Sequence, residues 1–182
     1  MRIIYCLFII LFFYSCKSKE EKQVKSILPQ VELIVVKITK EERVLYDLRS
    51  IDSKKVEHYK LTIKETNKSI VYFYKSIVNE EHNMVFKLDK KSKKLNWGAQ
   101  VFFKSKLGKK FTFEKKTNNI FDYYWVDSKG SHQASPILFN KEYGILGIYN
   151  SYGPDFIYLK EQIEKLDLIK EILISMENYS PN

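Results

Sequence analysis

The sequence predicts a mainly β, α+β fold: an antiparallel β meander with one C-terminal amphipathic helix. Apolar and polar residues alternate with period two through much of the chain after residue 31, as in strands with one buried face. Turn-forming residues separate these runs, and only the C-terminal stretch changes to steps of three and four. The 182 residues are 45% hydrophobic and 15% aromatic, enough apolar matter for one domain with its own core. The same composition excludes a disordered chain, and low Gly and Pro counts exclude a fibrous one.

The folded part is expected over residues 31–182. Residues 33–39 form a β-branched run. Val44, Tyr46 and Leu48 alternate with Leu45, Asp47 and Arg49, although 41–51 also fits a helix. Tyr59, Leu61 and Ile63 alternate with Lys60, Thr62 and Lys64, and a turn at Asn67-Lys68 leads into an apolar run over 70–78. Residues 79–83 make a loop, 84–88 return, and 90–94 form a charged loop. Residues 99–106 and 109–116 read as a hairpin around Leu107-Gly108, with Val101 and Phe103 facing Phe111 and Phe113. Strands follow over 121–126, 137–139 and 144–149, before a turn through Gly153 and Pro154. Leu159, Ile163, Leu166, Ile169, Leu173 and Met176 then mark a helix of roughly five turns. Its apolar face is expected to pack on the open face of the sheet.

The N-terminus bears on location. Arg2 precedes twelve apolar or aromatic residues, 3–14, then Ser15, Cys16 and a polar run from Lys17. Twelve residues suit a secretory h-region and fall short of the ~20 that span a bilayer as a helix. Phe13, Tyr14, Ser15 and Cys16 resemble the lipobox of bacterial lipoproteins, with Ser15 as the small residue before the cysteine. The resemblance covers residues 1–16 only. It implies a signal peptide over 1–15, lipid attachment at the Cys16 sulfur, and a protein anchored in the cell envelope, at the outer membrane. Residues 16–30 then read as anchor and polar tether. Cys6 is lost with the signal, so no disulfide or thiol chemistry is left to the mature chain.

Charge is uneven. Of the net +9, Arg2 supplies +1, residues 17–83 hold +3, residues 84–118 hold +9 and residues 119–182 hold −4. The basic side chains are 28 Lys against 3 Arg; nucleic-acid recognition leans on Arg, so nucleic acid is not expected as a partner. Lys104, Lys106, Lys110 and Lys116 form the candidate binding patch, for anionic lipid, acidic polysaccharide or an acidic protein. The alternative is a solvated surface produced by a lysine-rich composition.

No Gly-x-Gly fingerprint, phosphate loop, nucleophile elbow or His-Glu-x-x-His motif occurs, so neither cofactor nor metal is expected. His58 and His82 read as solvated. Asp127, Ser131 and His132 share one loop and are the weak candidates for hydrolysis, which needs them to converge in space. Tyr123, Tyr124, Trp125, Tyr143, Tyr149, Tyr152, Phe156 and Tyr158 either line a groove or form core pairs. The expected function is therefore a non-catalytic binding or structural module on a lipid anchor. The alternatives are a hydrolase around His132 and a membrane-anchored immunity or inhibitor protein.

Overall fold

The computed structural model describes residues 34–48, 54–112, 119–126, 134–160 and 166–180. They lie within one compact unit, Leu33–Asn182. Eleven strands are present among them: β1 (Val35–Leu48), β2 (Lys54–Thr66), β3 (Ser69–Ser76), β4 (Met84–Asp89), β5 (Leu95–Trp97), β6 (Gln100–Lys104), β7 (Lys110–Thr112), β8 (Ile120–Val126), β9 (Ala134–Asn140), β10 (Gly144–Asn150) and β11 (Asp155–Leu159). One helix, α1 (Leu166–Glu177), follows.

Each strand is antiparallel to its neighbours. β1 through β6 form one meander and β8 through β11 another. Two seams join them: β6 pairs with β8, Phe102 opposite Val126, and β1 pairs with β11, Val44 opposite Leu159. Ten strands thereby close into a barrel, with β7 as an additional strand.

Period-two alternation sends one set of side chains inward, where they fill the barrel. Leu45, Tyr59, Leu61, Tyr72, Tyr74, Phe86, Phe102, Tyr124, Ile137, Phe139 and Tyr158 make one buried cluster. Its rings meet edge to face, Tyr72 with Phe139 at 5.2 Å and Tyr74 with Phe86 at 5.9 Å, the arrangement that ring quadrupoles favour. The phenol groups find partners rather than water. Tyr72 Oη donates to the Lys141 carbonyl at 2.6 Å, and Tyr74 Oη accepts from Ile145 N at 2.8 Å.

A second cluster lies outside the barrel wall. Val44, Tyr46, Phe121, Leu138, Leu146 and Ile157 face outward and are covered by Ile169, Ile172 and Met176 of α1. Gly147 lets the helix approach, because a Cβ there would stand 2.8 Å from Met176 Sδ. Past the helix, Tyr179 stacks on Tyr123 with centroids 4.1 Å apart. The helix thus packs on the sheet as its apolar stripe predicts, and β10, buried on both faces, reads as a continuous apolar run.

Several expectations need correction. The segments 99–106 and 109–116 do not pair with each other. β6 and β7 lie end to end along the same edge of β8, since Phe103 faces Trp125 and Phe111 faces Phe121. Ser105 N donates to Tyr123 O at 2.8 Å, and Lys110 lies opposite Asp122, so 106–109 is a four-residue excursion from one wall strand. Val101 and Phe103 accordingly stay exposed, while Phe111 is buried in the outer cluster; Phe113 lies outside the described residues. Leu159 belongs to β11 rather than to the helix, whose described part starts at Leu166, and Ile163 is outside the described residues. The 41–51 stretch, as far as Leu48, is strand. β5 and β11 have no counterpart in the sequence reading.

Candidate functional site

One rim of the barrel carries a knot of polar groups. Stepping back from inward-facing Tyr59 places Glu57 on the same face of β2, its side chain largely buried. Glu57 Oε2 accepts from Tyr59 Oη at 3.1 Å and lies 3.0 Å from His82 Nδ1; Oε1 lies 2.8 Å from Lys55 Nζ. His82 arrives on a single 3-10 turn, Glu80–His82. Asn79 caps that turn by accepting from Glu81 N, and Asn83 Oδ1 ties it to β3 by accepting from Ser76 N at 2.9 Å. Burial pushes the Glu57 carboxyl up, but hydrogen bonds from Lys55, His82 and Tyr59 outweigh it and hold it below the ordinary carboxylate value. Burial and the Glu57 charge push the Tyr59 phenol up.

A carboxylate that orients an imidazole is the base half of a nucleophilic triad. Among the described residues no hydroxyl or thiol is hydrogen-bonded to the other ring nitrogen of His82. The knot joins Lys55, Glu57, Tyr59 and His82 beside the 79–83 loop; His82 is exposed, as its loop position predicts, with its Nδ1 3.0 Å from Glu57.

The opposite rim holds Arg43, fully buried. Its Nη2 donates to Tyr143 O at 2.8 Å and lies 2.7 Å from Glu41 Oε2, while Nη1 donates to Glu42 O at 2.8 Å. The guanidinium sits 4.5 Å from the Tyr143 ring centroid, and Lys160 Nζ adds a second cation 3.1 Å from Glu41 Oε2. Burial pushes the Glu41 carboxyl up, but these two cations outweigh it and keep the group below the ordinary range.

The basic candidates lie around the excursion. Lys104, Lys106, Lys109 and Lys110 are all exposed. Lys104 Nζ lies 2.7 Å from Asp122 Oδ2, so part of its charge is met within the fold. Gly108 makes the excursion's sharp turn with φ +66°, a conformation that favours glycine. Beside it runs a groove of about 560 Å³ between α1 and the barrel wall, lined by Lys109, Phe111, Tyr123, Lys170 and Ile174 among others.

Of the residues that the sequence singles out, Cys16, Lys116, Asp127, Ser131 and His132 lie outside the described residues. His58 is exposed on the outer face of β2. Tyr123, Tyr124, Tyr143 and Tyr158 are buried core residues; Trp125, Tyr149 and Phe156 are half-buried, and Tyr152 is exposed. Glu57 and Arg43 were missed; the alternation carried a signal for Glu57, one step before inward Tyr59, but none for Arg43, which shares its face with Leu45, Asp47 and Arg49, the side that the sequence pattern marks as polar.

Among the described residues no group of three or more His, Cys, Asp or Glu could hold a metal ion, and no helix is long and apolar enough to cross a membrane. Comparison of the chain with protein-family models, curated proteins and solved structures returned no match.

Proposed function

We propose that the chain is an exported bacterial envelope protein, anchored at the outer membrane by lipid on Cys16, whose barrel is a non-catalytic binding module. The observation that carries the second half is the filled interior. Tyr59, Tyr72, Tyr74, Phe86, Phe102 and Tyr158 are at most 1% exposed, and they occupy the space in which a carrier barrel holds its ligand. Recognition therefore falls to the outside. Outward-facing Lys60, Lys64, Lys75 and Lys87 on β2 to β4 are exposed, where a membrane-spanning barrel carries an apolar band. What supports the anchor is the apolar run 3–14 ending at Ser15-Cys16. At ~0.8 kcal/mol per buried methylene, two or more long acyl chains far exceed the ~1 kcal/mol that each surface lysine supplies.

The excursion between β6 and β7 is the surface we assign to an anionic partner. Lys106, Lys109 and Lys110 are exposed within a short span, and opposite charge is attracted there with steep salt dependence. Two measurements test this reading. Cys16→Ala abolishes incorporation of a palmitate analogue; labelling that survives overturns the anchor. Lys106→Gln/Lys109→Gln/Lys110→Gln removes low-salt binding to anionic vesicles or a soluble polyanion at unchanged melting temperature, while Lys104→Gln, already paired with Asp122, removes less. Binding indifferent to the triple substitution overturns the surface.

A further inference from the structure

The two ends of the barrel differ in charge. At one end lie the turns β2–β3, β4–β5 and β9–β10, residues 67–68, 90–94 and 141–143, which carry Lys68, Lys90, Lys91, Lys93, Lys94 and Lys141 against Glu142. At the other end, the described turn residues 77–83, 98–99 and 151–154 carry Glu80 and Glu81 and no lysine. Lys68, Lys91 and Lys93 are exposed, and among the described residues none of the three forms an ion pair.

The lysine-bearing turns adjoin one another. Lys90 N donates to Lys68 O at 3.0 Å, and Lys90 Nζ and Lys141 Nζ reach the same Glu65 oxygen at 2.6 and 3.6 Å. On the other flank Leu95 pairs with Phe102, and Lys94 Nζ stands 4.9 Å from the Phe103 ring centroid. Phe103 leads into the excursion with its Lys106, Lys109 and Lys110. The cationic surface of the excursion therefore continues onto this rim.

Two observations bear on what this surface meets. The chain enters the barrel at this rim, since Asn67 N donates to Ile34 O at 3.3 Å. Seventeen residues, 17–33, separate Ile34 from Cys16, a span of ~60 Å at most. At the tip of the excursion Leu107, between Lys106 and Gly108-Lys109, is 54% exposed. An apolar tip among cations gains from the boundary between headgroups and acyl chains, and gains nothing from a soluble polyanion. We infer that this rim and the excursion together dock on the anionic headgroups of the leaflet that holds the anchor. Leu107 enters that boundary, and the end with Glu80 and Glu81 is turned away. The inference rests on the proposed anchored chain with an anionic partner, and adds which partner it is and which way up the barrel stands.

The test uses the full chain with Cys6 and Cys16 replaced by serine, so that the result does not depend on lipid at Cys16 and an introduced thiol is the only one. A fluorophore is placed on Asn67→Cys or, at the opposite end, on Ser151→Cys, both exposed positions. Vesicles of phosphatidylcholine, with or without an equal share of phosphatidylglycerol, carry a quencher on their headgroups. On anionic vesicles at low salt the residue-67 label should be quenched several-fold more than the residue-151 label. That difference should vanish on neutral vesicles and at about 1 M salt. Lys91→Gln/Lys93→Gln should lower the preference for anionic over neutral vesicles about thirtyfold, from two lysines at ~1 kcal/mol each. Lys60→Gln/Lys75→Gln, on the wall toward the other end, should lower it far less. Leu107→Ser should weaken binding to anionic vesicles and leave binding to dextran sulfate unchanged. Equal quenching at the two ends, or equal losses from the two lysine pairs, overturns the docking. A Leu107→Ser chain that binds vesicles as its parent does overturns the bilayer as the partner. Palmitate labelling that survives Cys16→Ala would count against the anchor alone and leave these outcomes as they stand.

Discussion

Gly144 is where a single methyl should do most damage, and the structure allows the size of the effect to be worked out. The residue opens β10 with φ +89°, and a Cβ there would lie 2.5 Å from Tyr74 Oη and 3.3 Å from Tyr72 Cδ1. Gly144→Ala therefore meets two penalties. Holding an L-residue at positive φ costs about 1–2 kcal/mol. The clash drives the phenol away from Ile145 N, to which it is bonded at 2.8 Å, and an orphaned buried N–H costs about 1–3 kcal/mol. Together these give about 2–5 kcal/mol. At ~2–4 °C per kcal/mol for a domain of this size, the melting temperature should fall by roughly 4–20 °C. Tyr74→Phe alone should lose about 1–3 kcal/mol for the same orphaned N–H. The double variant Gly144→Ala/Tyr74→Phe should then be no less stable than Gly144→Ala, because the hydroxyl that clashes is also the one already displaced. Chemical denaturation of all four proteins closes the cycle. Additivity within ~0.5 kcal/mol would show that the methyl and the phenol do not compete, and the reasoning would fail.

Three further outcomes follow from the two rims and the helix. Arg43→Ala should cost about 3–5 kcal/mol by leaving Glu41 and the Tyr143 carbonyl without their buried partner, and Arg43→Lys should not restore it, because an ammonium cannot serve several acceptors as a fork does; thermal melts decide both. Ile172→Asp places an unpaired charge in the outer cluster and should exceed the ~3 kcal/mol upper end of ordinary substitutions, whereas Leu166→Asp, at a half-buried position, should cost less; equal melts for the two would put the helix off the barrel. Glu57, held below its ordinary value of 4.5, contributes stability in full above that pH and loses it as the pH falls through its lower folded value. Glu57→Gln should therefore be less stable at neutral pH with a flatter acid limb, which an unfolding series from pH 7 to pH 3 measures.

Much of the wall was legible because one buried face leaves a period of two. The runs around Tyr59, Tyr72, Phe86, Phe121 and Ile145 all became strands. β5, three residues around Asn96, is too short to show a period, and Leu159 fits the spacing of the helix as well as that of β11. The excursion misled because Leu107-Gly108 has the chemistry of a hairpin turn, with glycine at positive φ. What decides its partner is β8, more than ten residues further on, and no local pattern reports such pairing. Closure was illegible for the same reason: nothing near Val44 names Leu159. Glu57 stands one alternation step before Tyr59, already read as inward, whereas Arg43 shares its face with Leu45, Asp47 and Arg49, which the alternation sets on the polar side; the helix covering Val44 and Tyr46 from outside reversed that reading. The separation of inner from outer apolar residues needed the helix, because β8 to β10 bury both faces and their sequences lose the alternation that marks an inside.

The β1–β11 seam also governs how the barrel is made. Neighbouring strands of each meander meet through short connections and can zip locally, but residues 44–48 must wait for 155–159, near the far end of the chain. Bringing such distant segments together loses loop entropy before any pairing rewards it, and topologies rich in such contacts fold slowly. Until the last strand arrives, the Val44–Leu48 edge of β1 lacks its β11 partner. The vulnerable species is therefore the nearly complete chain, and truncation before β11 should leave the Val44–Leu48 edge unpaired and prone to pair with other chains.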